Sequence, residues 1–216
     1  MNIVFAYPTG LNPQKGGVER ITDIIAKILL KRGYTIFYLN WKREQDNYEY
    51  PVPVIDLPSS NLEDPNNLEV YNRFLKENRI DVIINQHGLY EGTYFLSQVK
   101  VQNVKIISVL HSDPFGYYNH LFADLMTLRD SSIKEKVKRV ARFFLYRKVK
   151  KIIHRSLVNH YTFIQEHPQY VCLLSESYKE RLEEYCDLPD NYFISIPNPN
   201  TYENIEIIPH KEPILL

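Results

Sequence analysis

Cysteine, glycine, methionine and tryptophan are all scarce in this 216-residue chain: two, seven, two and one residues. Two isolated cysteines, Cys172 and Cys186, do not make a disulfide framework and fit reduced thiols better. Seven glycines leave little room for long flexible linkers. No run approaches the roughly 18 apolar residues of a membrane span. The opening residues MNIVFAYPTG lack the basic start and apolar core of a secretory signal. A soluble cytoplasmic protein is the expectation. The seven histidines and two cysteines show no metal-ligand spacing, so neither a metal nor another cofactor is expected. Formal net charge is zero, so the total by itself points to no anionic partner. Tyrosine, in contrast, is abundant at 17 residues, which predicts large aromatic surfaces.

Short apolar runs alternate with helical periodicities. NIVFAY (2–7), YTIFYLN (34–40), VPVIDL (52–57), DVIIN (81–85), VKIISVL (104–110), YVCLL (170–174) and YFISI (192–196) read as strands, the third at an edge because of Pro53. Between them, 17–32, 66–78, 89–99, most of 120–167 and 177–185 read as helices. In the first, Val18, Ile21, Ile25, Ile28 and Leu29 form an apolar stripe and Gly33 supplies a C-terminal stop. Ser177 and Glu180 have capping-box spacing. Strands separated by helices predict an α/β fold, a Rossmann-like, mostly parallel sheet with helices on both faces.

Two adjacent glycines, Gly16 and Gly17 in QKGGVERITDII, stand directly before the first helix. A dinucleotide fingerprint needs G-x-G-x-x-G, and Gly10, Gly16 and Gly17 do not fit it. A phosphate loop needs G-x-x-x-x-G-K-[ST], and Gly16 is followed by Gly17 and Val18. Two readings stay open. Free N–H groups at a helix start, with no Cβ in the way, suit an anion, and the same glycines suit a tight turn.

In order along the chain, GGVER, the helix ending KRGYTI, DVIINQHG (81–88), VKIISVLHSD (104–113), YVCLLSESYKERL (170–182) and ISIPNPN (194–200) follow one another. This succession resembles the amino-terminal domain of family-four glycosyltransferases of the GT-B fold, over nearly the whole chain. The resemblance implies a retaining transferase that moves a sugar from a nucleotide-sugar donor to a polysaccharide or lipid-linked acceptor of the cell envelope, without a metal. It implies an acceptor-side domain over 1–205, with 206–216 as linker and start of a donor-binding domain. The run KEPILL, ending on Ile214, Leu215 and Leu216, reads as the first residues of another buried strand and predicts such a continuation. The family's E-x7-E carboxylate pair would lie there, and this chain alone is expected to be inactive.

The resemblance also assigns roles. Gly16 and Gly17 would approach the donor diphosphate. His111, at a strand's carboxyl end, would face the donor sugar as the catalytic-site histidine, or else be satisfied by loop carbonyls. Asp113 would orient it or bind acceptor hydroxyls, or else make an Asx turn before Pro114. His87, Ser175 and Glu176, at neighbouring strand ends, are acceptor-side or cleft candidates. Asn198 reads as a turn residue, and Glu19 and Arg20 as surface positions.

The charge is not evenly spread. Segment 133–155, IKEKVKRVARFFLYRKVKKIIHR, carries ten Lys and Arg against Glu135, so it holds +9 and the remainder −9. Ile133, Val137, Val140, Ala141, Phe144, Leu145, Ile152 and Ile153 follow helical spacing, which makes it a basic amphipathic helix. Lys138, Arg142, Lys148, Lys150 and Lys151 would then meet an anionic membrane at its inner face or a polyanionic acceptor. The plain alternative is a long helix packing its stripe on the domain. Phe143 and Tyr146, off the stripe, suggest surface contact. Nucleic acid is not expected, because no recognition module accompanies the charges. A non-catalytic Rossmann-like domain that offers this helix to an anionic partner is the competing function. A nicotinamide oxidoreductase is disfavoured by the failed glycine fingerprint.

Overall fold

The computed structural model describes residues 1–42, 47–88, 90–126, 133–167, 169–185 and 193–198. Cys186, the segment 199–216 and therefore the expected linker lie outside them. Seven strands, β1 (Asn2–Tyr7), β2 (Thr35–Asn40), β3 (Val54–Asp56), β4 (Val82–Asn85), β5 (Lys105–Leu110), β6 (Gln169–Leu173) and β7 (Phe193–Ser195), form one sheet. Every pairing is parallel, in the order β3-β2-β1-β4-β5-β6-β7. The chain thus builds outward from β1 in one direction, then returns past it to build in the other.

Among the described residues, six helices connect the strands: α1 (Gly17–Lys31), α2 (Pro65–Glu77), α3 (Tyr90–Leu96), α4 (Gly116–Met126), α5 (Ile133–Glu166) and α6 (Glu176–Tyr185). Side-chain alternation on the strands divides the core in two. Val4, Ala6, Leu39 and Ile83 pack with Tyr71, Phe74 and Leu75 of α2 and Phe95 and Leu96 of α3. Ile3, Phe5, Ile36 and Tyr38 pack with Ala26 of α1 on the other face. Both faces of β1 are therefore dry, which is why its sequence NIVFAY is a continuous apolar run. A third cluster joins Leu110 and Val171 of the sheet to Tyr161 and Ile164 of α5 and Leu182 of α6.

Helix ends are set by local chemistry. Asp64 accepts from the Asn66 N–H at 3.0 Å and Pro65 opens α2. Gly33 has φ +82, and Gly33 N–H to Leu30 and Tyr34 N–H to Leu29 complete a Schellman motif at the end of α1. At α6 the expected capping box is corrected. The helix starts at Glu176, and Ser175 Oγ accepts from the Ser177 N–H at 3.3 Å, two residues ahead of the expected cap. Ile28 is also off the packed stripe of α1, 44% exposed. The segment read as mostly helical resolves into α4 and the long α5.

Candidate functional site

The strand order reverses between β1 and β4, so the loops leaving their carboxyl ends diverge and leave a crevice there. A cleft of about 570 Å³ occupies that place. It is walled by Tyr7 at the end of β1, Val18 of α1, Gln86 to Gly88 after β4, Val109 and Leu110 at the end of β5 with the loop from His111 to Pro114, and Ser156, Leu157, His160 and Tyr161 of α5. His87, from the loop after β4, is brought together here with His111 and Asp113, from the loop after β5, and Gly17 lies directly beside the lining residue Val18.

His111 is positioned by Gln86. The side-chain carbonyl of Gln86 can only accept, so Nε2–H of His111 donates to its Oε1 at 2.7 Å. Nδ1 is then the acceptor nitrogen of a neutral ring. Burial lowers the pKa of His111 from its ordinary value, which keeps the ring neutral at pH 7. His87 is lowered further, to about 4, mainly by burial and secondarily by the positive charge of Lys42. Its ring lies edge-on to Tyr7 and Trp41, with centroids 5.9 and 6.2 Å away. Nδ1 of His87 is buried without a hydrogen-bond partner among the described residues.

A buried polar network holds the β4 strand end in place. Asn85 Nδ2 donates to Thr93 Oγ1 at 3.1 Å and to Ser108 Oγ at 3.2 Å, while its Oδ1 accepts the His87 N–H at 3.0 Å. Ser108 in turn donates to Gln169 Oε1 at 3.2 Å, so the chain of bonds crosses β4, β5 and β6. Gly88 has no room for a side chain. A Cβ there would sit 3.0 Å from the Val109 carbonyl oxygen and against Leu110.

Two adjacent residues of α5 grip the loops that carry the histidines. His160 Nε2–H donates to the Gly88 carbonyl at 3.0 Å, and Tyr161 Oη donates to the Pro114 carbonyl at 3.1 Å. Burial lowers the pKa of His160 against the opposing effect of its Gly88 bond, so it too is held toward the neutral form.

Asp113 makes the Asx turn, with Oδ1 accepting the Phe115 N–H at 3.0 Å, and its Oδ2 pairs with Arg181 of α6. It does not hydrogen-bond His111. Ser175 and Glu176 sit at the start of α6, where Ser175 caps the helix and Glu176 is exposed; neither lines the cleft. Asn198 is exposed after β7. Glu19, expected at the surface, is instead 8% exposed. Its carboxylate folds back onto Gly16, against the position a Cβ would take. A negative group at a helix start is what the exposed N–H groups and the dipole favour.

The two glycines differ in what the fold asks of them. Gly16 caps α1 at φ −166, ψ 179, an extended conformation open to any residue, and only Glu19 crowds it. Gly17 opens the helix with no heavy atom within 4 Å of a built Cβ. Neither has positive φ, so the turn itself does not require glycine at Gly17.

Sequence reasoning missed Gln86, His160, Tyr161 and Arg181. One signal was present. The run of basic residues in α5 stops at Arg155, and Leu157, His160, Tyr161 and Ile164 then resume a core-facing i, i+3, i+4, i+7 spacing. Gln86 and Arg181 carry no comparable pattern. The basic residues stand apart from the cleft. Lys138, Lys148 and Lys151 are exposed, Lys150 lies 4.7 Å above the Tyr118 ring, and the Arg142 side chain is outside the described residues.

The fold is a Rossmann-like α/β domain, with its crevice at the topological switch point of a parallel sheet. Residues 15–199 match Glycosyltransferase Family 4, and the chain belongs to that family. No curated protein matches it. Among solved structures, the AMP-bound Kef C-terminal domain of Shewanella denitrificans is similar at 10% identity and a TM-score of 0.36, over 85% of this chain and 99% of that one. A proposed epimerase from Burkholderia cenocepacia J2315 is similar at 13% identity and a TM-score of 0.38, over 80% and 53%. Both likenesses are too low to bear on function.

Proposed function

We propose that this chain forms the acceptor-side lobe of a retaining glycosyltransferase. In this reading residues 1–205 make one wall of the cleft, and 206–216 lead into a second lobe that holds most of a nucleotide-sugar donor. The sugar passes to a polysaccharide or lipid-linked acceptor, and donor binding uses no metal.

Gly17 carries the reading. It begins a helix in open space, with no packing or dihedral reason to be glycine, beside the crevice where parallel sheets bind ligands. Close approach of an anion to bare backbone is a reason that remains. Family membership supports reading that anion as a glycosyl donor's diphosphate. As the bond to the departing diphosphate breaks, negative charge grows on its oxygens, and preorganised N–H donors at Gly16 and Gly17 stabilise it. An incoming diphosphate must displace the Glu19 carboxylate. Like charges at about 4 Å repel by about 1 kcal/mol in water and more where solvent is excluded. Neutral His111, with Nε2–H given to Gln86, offers Nδ1 to a sugar hydroxyl.

The test is Gly17→Ala in the protein that contains both lobes, assayed with uridine and guanosine diphosphate sugars. Donor affinity should fall about tenfold or more while Tm is unchanged or slightly raised, since the added Cβ meets nothing and alanine suits a helix better. Unchanged affinity would remove the support Gly17 gives. The 216-residue chain alone should show no transfer, and turnover by it would contradict the two-lobe division.

A further inference from the structure

The amino-terminal half of α5 is not packed on the sheet. Val137, Val140, Phe144, Leu145 and Ile152 are 64%, 57%, 79%, 51% and 58% exposed. Among the described residues, these five members of the stripe therefore point away from the fold, which speaks against the plain alternative of a helix burying it on its own domain. Phe143 and Tyr146, off the stripe, each meet Phe122 of α4, with centroids 6.4 and 5.4 Å apart, while Phe143 stays 52% exposed.

At about 100° per residue, Val137, Phe144, Lys148, Lys151, Ile152 and Arg155 fall within about 100° of arc. That arc is opposite the one bearing Leu157, His160, Tyr161 and Ile164, which face the core. Large apolar side chains and cations thus share one outward face. Soluble proteins seldom leave a contiguous apolar face of this kind without a partner.

We propose that this face of α5 docks on an anionic lipid bilayer. Charge complementarity chooses the occupant: Lys138, Arg147, Lys148, Lys151 and Arg155 are exposed in a segment of charge +9. A polyanionic chain would satisfy the cations and leave Phe144 and Ile152 in water. An interface takes both, because apolar rings enter the acyl boundary while Lys and Arg stems reach back to the headgroups. The cleft-lining residues begin at Ser156, immediately after Arg155. A helix lying along the lipid surface therefore holds the cleft beside it, where a lipid-linked acceptor would present its headgroup. Docking itself does not depend on the proposed transferase chemistry.

The experiment is co-sedimentation of the full chain with vesicles of phosphatidylcholine alone or with one third phosphatidylglycerol. Binding is expected on the anionic vesicles only, and to fall as salt is raised. Lys148→Glu with Lys151→Glu should weaken partitioning by about 25-fold, about fivefold for each basic residue removed. Phe144→Ser should also weaken it, whereas Lys31→Glu with Lys76→Glu, at exposed sites on α1 and α2, should not. Far-ultraviolet circular dichroism and Tm of each variant separate lost docking from lost fold. Equal binding to neutral vesicles, indifference to the Lys148 and Lys151 reversals, or a dimer in solution that Phe144→Ser dissolves would overturn the proposal. Retention on a heparin column without vesicle binding would overturn it too.

Discussion

His111 and Gln86 are joined by a 2.7 Å hydrogen bond that ties the carboxyl ends of the neighbouring strands β5 and β4 together in the cleft wall. The bond selects one tautomer of the imidazole and fixes the ring's direction, leaving Nδ1 for a ligand. Gln86 is thus a positioning residue. Gln86→Leu in the proposed two-lobed protein should lower kcat about tenfold or more with little change in donor KM, since the ring is retained and only its orientation is lost. The ring nitrogen shifts of His111 by NMR should change from a single tautomer to a mixture. An unchanged tautomer would refute the positioning role.

Gly88 and Gly17 should respond oppositely to the same substitution. A Cβ at Gly88 strikes the backbone carbonyl of Val109, which cannot step aside without opening β4 from β5. Gly88→Ala should cost about 1–3 kcal/mol of stability. Gly17→Ala meets open space and should cost none. Thermal denaturation of the pair measures the contrast, and equal losses would show that the glycine loop is built for packing.

Asn85 is fully buried and meets Thr93, Ser108 and the His87 N–H at once. Asn85→Leu leaves those partners unsatisfied in a dry site and should cost about 1–3 kcal/mol. Urea denaturation checks this. A loss well below 1 kcal/mol would mean that water or rearrangement replaces the network.

The histidines set a pH dependence. The pKa of His87 is about 4 in the fold against 6.5 for the free side chain. The unfolded chain therefore binds the extra proton first as pH falls. Stability from this group is complete above about pH 6.5, is lost between 6.5 and 4, and is flat below. His111 and His160 are lowered in the same sense. Tm should fall between pH 7 and 4.5, and His87→Asn should make that fall shallower. An identical slope in the variant would assign the acid sensitivity to other groups.

The sheet was legible because each strand is an apolar run bounded by turn residues, and burial on both faces leaves that mark on sequence. Register was not. Nothing in DVIIN announces that Asn85 would bond Ser108, 23 residues on, or that Ser108 would reach Gln169 another 61 away. His87, His111 and Asp113 were legible as strand-end residues, because ligands of parallel sheets gather there. Gln86 was not, since a buried glutamine beside two candidate histidines looks like any polar loop residue. The direction of the α5 stripe was also hidden. Periodicity gives a face, and only packing shows whether the face looks inward.

The most direct test is the kcat of His111→Ala in the proposed two-lobed protein, measured as sugar transfer from the proposed nucleotide-sugar donor. If this cleft is where sugar is transferred, kcat should fall at least about 100-fold, the scale of losing a placed polar group at the reacting centre, with Tm little changed. An unchanged kcat would make His111 a structural residue and place the chemistry elsewhere.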